Sequence, residues 1–152
     1  MQYDCITRPG PSIGGMAEPV TGAAGTGRFP AAAIRGVRAR SAPAAACGMF
    51  ADVTVDFEPS AAGVEVSLPD GLQVADGGIG SGVPLGYLAG LAEGIRAGLA
   101  AGRPDLVAAV LVVVRRVQVH PVDSSVASFR AAGRIAARQA LDQASRATGS
   151  AT

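Results

Sequence analysis

Apolar and polar residues alternate along two stretches in the middle of the chain, from Phe50 to Phe57 and from Gly63 to Leu68. A period of two residues is typical of strands that bury one face. A third stretch, from Ile34 to Arg40, sets apolar residues among arginines and predicts the first strand. The pattern therefore predicts three consecutive strands before any helix.

A long β-branched stretch from Leu106 to His120 predicts the strongest strand of the chain. Successive side chains of a strand point to opposite faces, so parity divides its residues into two sets. The expected buried face consists of Val113, Val117 and Val119, and the expected solvent face of Arg116, Gln118 and His120. The solvent face thus forms a polar row that leads to the end of the strand.

Apolar residues at spacings of three and four predict two helices. The first runs from Pro84 to Ala101, because proline suits the first helical turn and Gly102 ends the helix. The second begins after a cap at Asp123 or Ser124 and runs to about Arg146. The order β-β-β-α-β-α, with both helices on one face of one sheet, predicts an α/β fold built as an α+β two-layer sandwich.

Glycines recur every four residues along the first helix, at Gly86, Gly90, Gly94 and Gly98. Each costs about 1 kcal/mol of helix propensity relative to alanine. We favour a close-packing face over a ligand site as the reason for this ridge.

Composition bounds the domain organisation and the class of protein. The 152 residues suffice for one domain with a modest core. Residues 1–30, rich in glycine and proline, predict an irregular lead-in, residues 31–148 the domain, and residues 149–152 a tail. The net charge is +1 and lysine is absent, which argues against nucleic-acid binding by bulk electrostatics.

Two cysteines and one histidine lie too far apart in the sequence to form a usual zinc motif, so we predict no metal and no cofactor. The first residues carry no basic start with a long apolar run, which predicts no signal peptide. The longest β-branched run is too short to cross a membrane. We therefore expect a cytoplasmic protein without a membrane partner.

The most distinctive motif is His-Pro-Val-Asp-Ser-Ser at residues 120–125, where the strongest strand ends and a helix follows. It resembles the tip of domain IV in the family of translation elongation factor G and elongation factor 2. Residues 48–59 are similar to that family's Gly-x-Tyr-Gly-His strand, and residues 83–88 to its Ile-Pro-x-x-Tyr-Ile helix start. The resemblance implies a ribosomal protein S5 domain 2-like fold, with His120 presented near the ribosomal decoding site.

The chain also departs from that family's pattern. Without lysine it has no Gly-Lys-Ser/Thr loop, so we expect it neither to bind nor to hydrolyse GTP. Asp52 replaces the family's strand histidine, Val126 replaces an acidic residue, and residues 43–48 are apolar where the family has glycine and arginine. These departures exclude translocase activity.

The candidate binding residues lie on or near the polar row and its end. They are Asp52, Arg116, Gln118, His120 and Pro121. A lone histidine lacks the nucleophile and carboxylate of a hydrolytic triad, so we predict no catalytic residue and no enzyme. The glycine-rich residues 76–82 match no phosphate-loop fingerprint, and the arginines at 130, 134 and 138 are interpreted as a solvated helix face.

Three functional hypotheses remain open. The first is a stand-alone, GTPase-less domain IV-like binding module that contacts the ribosome or a structured RNA through His120. The second is a homo-oligomeric or protein-binding scaffold of the same fold with no RNA role, favoured by the near-zero net charge. The third is a small-molecule phosphate enzyme that uses the glycine-rich loop, and the missing lysine counts against it.

Overall fold

The computed structural model describes residues 27–42, 49–69, 73–76 and 83–150. The elements in these ranges are β1 (Arg28–Phe29), β2 (Ile34–Ser41), β3 (Ala51–Pro59), β4 (Gly63–Ser67), β5 (Gln73–Asp76), α1 (Leu85–Gly102), β6 (Val107–Val119) and α2 (Val126–Gly149). The α+β architecture predicted from the sequence is confirmed. Two short strands, β1 and β5, are additions that are too short to show an alternating pattern.

The strand β6 is the centre of a mixed sheet. Along one edge it pairs antiparallel with β3, which in turn pairs antiparallel with β2. Along the opposite edge it pairs parallel with β4 and then with β5, and its first residues pair parallel with β1. The helix α1 is therefore the crossover between the parallel neighbours β5 and β6.

A register shift between β3 and β6 changes which residues face the core. Thr54 pairs with Arg116, but the next residue, Val55, pairs with Val114. Arg115 is thus an extra residue on β6, which is a β-bulge. Because of the bulge, two consecutive arginines are both exposed on the outer face of the sheet.

The bulge overturns one prediction made from strict alternation. Val113 was expected to share one buried face with Val117 and Val119. It is buried, but it pairs with Asp56 on the outer face. The extra residue reverses the parity of the strand before it. The β6 members of the core are Val110, Val112, Val114, Val117 and Val119.

One hydrophobic core fills the space between the inner face of the sheet and the two helices. Most of its side chains are valine or alanine, and its aromatic members are Phe29, Phe57 and Phe129. Phe29 meets Phe57 edge to face with ring centroids 6.2 Å apart, so β1, which the sequence analysis assigned to the lead-in, is part of the core. The lead-in itself stays a prediction, because residues 1–26 lie outside the described ranges.

The helices α1 and α2 lie side by side and run in the same direction, in backbone contact. A Cβ atom added to Gly90 would lie 2.7 Å from the carbonyl oxygen of Val126, and one added to Gly94 would lie closer still to that of Arg130. From the other side, Gly133 has no room for a Cβ against the backbone of Leu91. The glycine ridge is confirmed as a close-packing face.

The helix α2 begins with a capping box. Ser125 Oγ accepts a hydrogen bond from the Ser128 N–H at 3.1 Å, and Ser128 Oγ accepts one from the Ser125 N–H at 2.9 Å. The prediction of a cap at Asp123 or Ser124 is therefore wrong, because those residues belong to the preceding turn. Neither of the two described helices is long and apolar enough to cross a membrane.

Candidate functional site

The end of β6 and the entrance to β3 form a tip, which we define as Phe50 and residues 120–124. Ser124 Oγ accepts a hydrogen bond from the His120 N–H at 2.8 Å and donates one to the Phe50 carbonyl at 2.9 Å. The Ser124 N–H donates to the His120 carbonyl at 3.1 Å, and the Phe50 N–H to the Asp123 carbonyl at 2.8 Å. The buried Ser124 therefore fixes the tip relative to both strands.

His120 is exposed, as parity predicts: 48% of its side chain is accessible. Its Nδ1 atom accepts hydrogen bonds from the N–H groups of Val122 at 3.3 Å and Asp123 at 3.1 Å. An accepting Nδ1 carries no hydrogen, so the neutral ring must carry it on Nε2. The Asp123 carboxylate lies 3.2 Å from Nδ1 and becomes an ion-pair partner if the ring is protonated. The two backbone donors favour the tautomer that offers Nε2–H, and Nε2–H is also a donor in the protonated ring that pairs with Asp123.

Two residues that the sequence analysis did not select complete an aromatic and cationic cluster at the tip. The Phe50 ring meets the His120 ring edge to face, with centroids 6.2 Å apart. The Arg40 guanidinium lies 5.6 Å from the centre of the Phe50 ring, within cation–π range. We call Arg40, Phe50 and His120 the tip cluster. Its members come from β2, the entrance to β3 and the end of β6, so only the sheet register brings them together.

Both helices begin beside the tip. The Tyr87 hydroxyl in the first turn of α1 donates to the Ser124 carbonyl at 3.1 Å, and its ring stacks on Phe129 with centroids 4.8 Å apart. Neither helix has an acidic residue in its first turn, and α1 has no side-chain cap at Pro84. Two positive helix-dipole ends therefore meet at the tip.

Asp52 lies behind this surface rather than on it. Its buried carboxylate accepts two hydrogen bonds from Arg38, at 2.6 and 3.1 Å. The hydrogen bonding by Arg38 lowers the pKa of Asp52 below its usual range and outweighs burial, with the charges of Arg40 and Arg116 adding to the effect. Its oxygens are therefore engaged in the sheet, and Asp52 does not join the exposed tip residues.

A second carboxylate, that of Asp56, pairs with two arginines further along the outer face. It accepts hydrogen bonds from Arg115 at 2.8 Å, from Arg35 at 3.3 Å and from the Gly36 N–H at 2.8 Å. Gly36 has a φ of 68°, a conformation that favours glycine, at a register shift in β2. Burial would raise the pKa of Asp56, but the Gly36 N–H and the arginines outweigh it and lower the pKa.

The other sequence-predicted residues line the approach to the tip. Arg116 is exposed and forms no ion pair with any carboxylate in the described ranges, and Gln118 is half-buried opposite Asp52. Pro121 is exposed beside His120, and Val122 is 77% exposed. Arg116 and Gln118 thus alternate along the last part of β6, and the exposed His120 and Pro121 follow directly after its end.

Two segments of the sequence-based site cannot be placed. The apolar residues 43–48 and the glycines at 77–82 lie outside the described part of the chain. Among the residues that are described, no group of three or more histidine, cysteine, aspartate or glutamate residues could hold a metal ion.

Comparison with known families and structures gives a consistent result. A family model described as elongation factor G, domain IV matches residues 43–145, more than half of the chain. Among solved structures, a crystal structure of a protein from Thermus thermophilus is similar at a TM-score of 0.52, with 22% sequence identity over 74% of this chain. The chain spans only 16% of that protein, so this likeness supports the fold alone. No curated protein matches the chain.

Proposed function

The chain belongs to the elongation factor G domain IV family, a non-catalytic translation-factor domain, and we propose that it binds structured RNA through its tip, with the ribosome as the target. Binding, rather than catalysis, is the proposed activity of the described residues. The proposal places the protein in the cytoplasm, where ribosomes work. The tip cluster is the observation that carries it.

Charge at the tip differs from the charge of the chain as a whole. On the outer face of the sheet, Arg35, Arg38 and Arg115 are paired with carboxylates. Arg40 and Arg116 form no ion pair among the described residues, and the carboxylate that both influence, Asp52, is already bound by Arg38. Against the one tip carboxylate, Asp123, these two arginines and the two positive helix-dipole ends favour an anion there despite the net charge of +1.

The geometry of the tip cluster suits unpaired bases. Sequence-specific RNA recognition uses loops and bulges whose bases stack on aromatic rings or guanidinium planes and hydrogen-bond along their edges. Such surfaces are gathered around the Phe50 ring, which has the His120 ring 6.2 Å and the Arg40 guanidinium 5.6 Å from its centre. The Nε2–H of His120 adds a donor for a base carbonyl or a phosphate oxygen. The role of Pro121 is to shape the exposed edge beside this donor.

Co-sedimentation with purified bacterial ribosomes tests the proposal. The wild-type chain is expected in the ribosome pellet at low salt, and a double variant, Arg40→Gln with Arg116→Gln, is expected mostly in the supernatant. Arg146→Gln is the control, because it removes an exposed arginine near the far end of α2 that forms no ion pair with a described residue. Equal pelleting of all three proteins, or no pelleting of the wild type, contradicts the proposal.

A protein-binding or homo-oligomeric scaffold is a second candidate, because apolar side chains lie exposed near the tip. Leu85 is 82% exposed and Val122 77% exposed. A monomer in sedimentation equilibrium at micromolar concentration would contradict self-association. A dimer dispersed by Leu85→Ser would instead favour this candidate.

A further inference from the structure

A groove of about 620 Å³ runs along the surface where the second halves of α1 and α2 meet, away from the tip. Small residues of α1, including Ala97, Gly98 and Ala101, line one side. Arg134 and Arg138 of α2 line the other side. The small residues leave the groove open because no side chain of α1 rises to fill it.

Arg134 and Arg138 differ from the arginines around them. Arg130, one turn earlier, donates to Glu93 at 3.1 Å, and Arg103 at the end of the groove is held by Asp105 at 2.7 Å. Arg134 and Arg138 are exposed and form no hydrogen bond or ion pair with any residue in the described ranges. A solvated helix face needs polar residues, but it does not need two unpaired cations beside a groove.

One carboxylate, Asp142, also lines the groove and forms no ion pair among the described residues. Two unpaired guanidinium groups therefore face one unpaired carboxylate, and the balance is positive. Arg134 and Arg138 are one turn apart, so their backbones are separated by roughly 6 Å along the helix. This arrangement suits two neighbouring anionic groups on an extended ligand better than one small anion.

We propose that this groove binds the phosphate backbone of the RNA that the tip contacts, an inference that rests on the proposed function. Arg134 lies roughly 12 Å along α2 from the start of the helix, since each residue adds about 1.5 Å. An RNA that contacts the tip therefore needs to extend only a short distance along α2 to reach the groove. The guanidinium groups contact phosphates and set affinity, whereas the tip makes the contacts to bases.

The salt dependence of binding tests the groove separately from the tip. The chain, labelled with fluorescein at its amino terminus, is titrated with purified bacterial ribosomes at several salt concentrations. The slope of log K against log salt is negative, and each lost phosphate contact reduces its magnitude by about 0.7 to 0.9. The double variant Arg134→Gln with Arg138→Gln is therefore expected to reduce the magnitude by roughly 1.5, with the same thermal stability as the wild type. Arg146→Gln, outside the groove lining, is expected to change it by much less.

A substitution of opposite sign sharpens the test. Asp142→Asn removes the one unpaired negative charge from the groove and is expected to strengthen binding at low salt. If the wild type binds ribosomes, but neither the arginine pair nor Asp142 changes affinity or slope, the groove proposal is overturned and the tip proposal stands. If the wild type does not bind at all, both fail.

Discussion

The helix–helix interface and the tip use the same two helices in opposite ways. At the interface, the distance between the helices depends on the missing side chains of Gly90, Gly94 and Gly133, where a Cβ has no room. At the tip, position is set by the hydrogen bonds of Ser124, and the side chains of residues 120–122 are exposed. The comparison indicates that substitutions at the interface change folding, whereas substitutions at the exposed tip change binding.

The largest effect is expected for Gly94→Ala. A methyl group there would overlap the backbone of Arg130, and a backbone carbonyl cannot rotate away as a flexible side chain can. The helices must separate along their length, and we expect a loss of more than about 4 kcal/mol, a large part of the stability of a typical domain. Urea unfolding measures this loss, and a fully unfolded variant agrees with the prediction.

Gly86→Ala is the matched control on the same ridge. A Cβ at Gly86 would meet Val126 Cγ2 at 3.6 Å, which is ordinary van der Waals contact. Alanine raises helix propensity by about 1 kcal/mol relative to glycine, so this variant is expected to be as stable as the wild type or more so. Equal destabilisation by the two substitutions would show that the backbone contact is not what the interface requires.

Ser124→Ala is expected to have the next largest effect on stability. The hydroxyl joins the His120 N–H to the Phe50 carbonyl, and removing it leaves both backbone groups without this partner. The cost is about 1–3 kcal/mol by urea unfolding. Thr148→Ala, which removes an exposed hydroxyl bonded to the Ala144 carbonyl, is expected to change stability by less than about 0.5 kcal/mol. Comparable losses in both variants would remove the special role of Ser124.

Asp52→Asn removes the ion pair between β3 and β2, and its effect on stability depends on pH. Because Arg38 lowers the pKa of the folded carboxyl, ionised Asp52 stabilises the fold above its unfolded pKa of about 4. That contribution is lost as pH falls through the lower, folded pKa. The wild type should therefore exceed the Asn variant in melting temperature near pH 7, and the difference should shrink below about pH 4. A difference independent of pH would exclude the ion pair as its source.

The sequence predicted helices and strands correctly where a regular pattern of apolar residues extends over many positions. The apolar stripes of the helices and the alternation in β3 produced the correct element types and approximate bounds. The bulge at Arg115 has no signature in a run of valines and arginines, so parity failed at Val113. Bulges depend on the pairing partner, which a single strand does not encode.

The candidate site was predicted in part for a related reason. His120 and Arg116 were found because they lie on one strand, whose alternation after the bulge is intact. Arg40 and Phe50 were missed because three strands must pair before they meet His120. Asp52 was selected by sequence position, but a residue on a neighbouring strand, Arg38, engages its carboxylate.

His120 is expected to have the smallest effect on stability and a clear effect on binding. The two N–H groups that donate to its ring are exposed and can bond to water instead. His120→Ala should therefore lower the free energy of unfolding by less than about 1 kcal/mol. Two further variants, His120→Asn and His120→Gln, distinguish the roles of the two ring nitrogens. Asn places an acceptor near the position of Nδ1 and keeps the turn, whereas Gln places a donor near Nε2 and loses that acceptor. If Nε2–H contacts the RNA, ribosome binding should decrease from wild type to Gln to Asn, while thermal stability is higher for Asn than for Gln. Binding that follows stability would assign His120 to the turn alone.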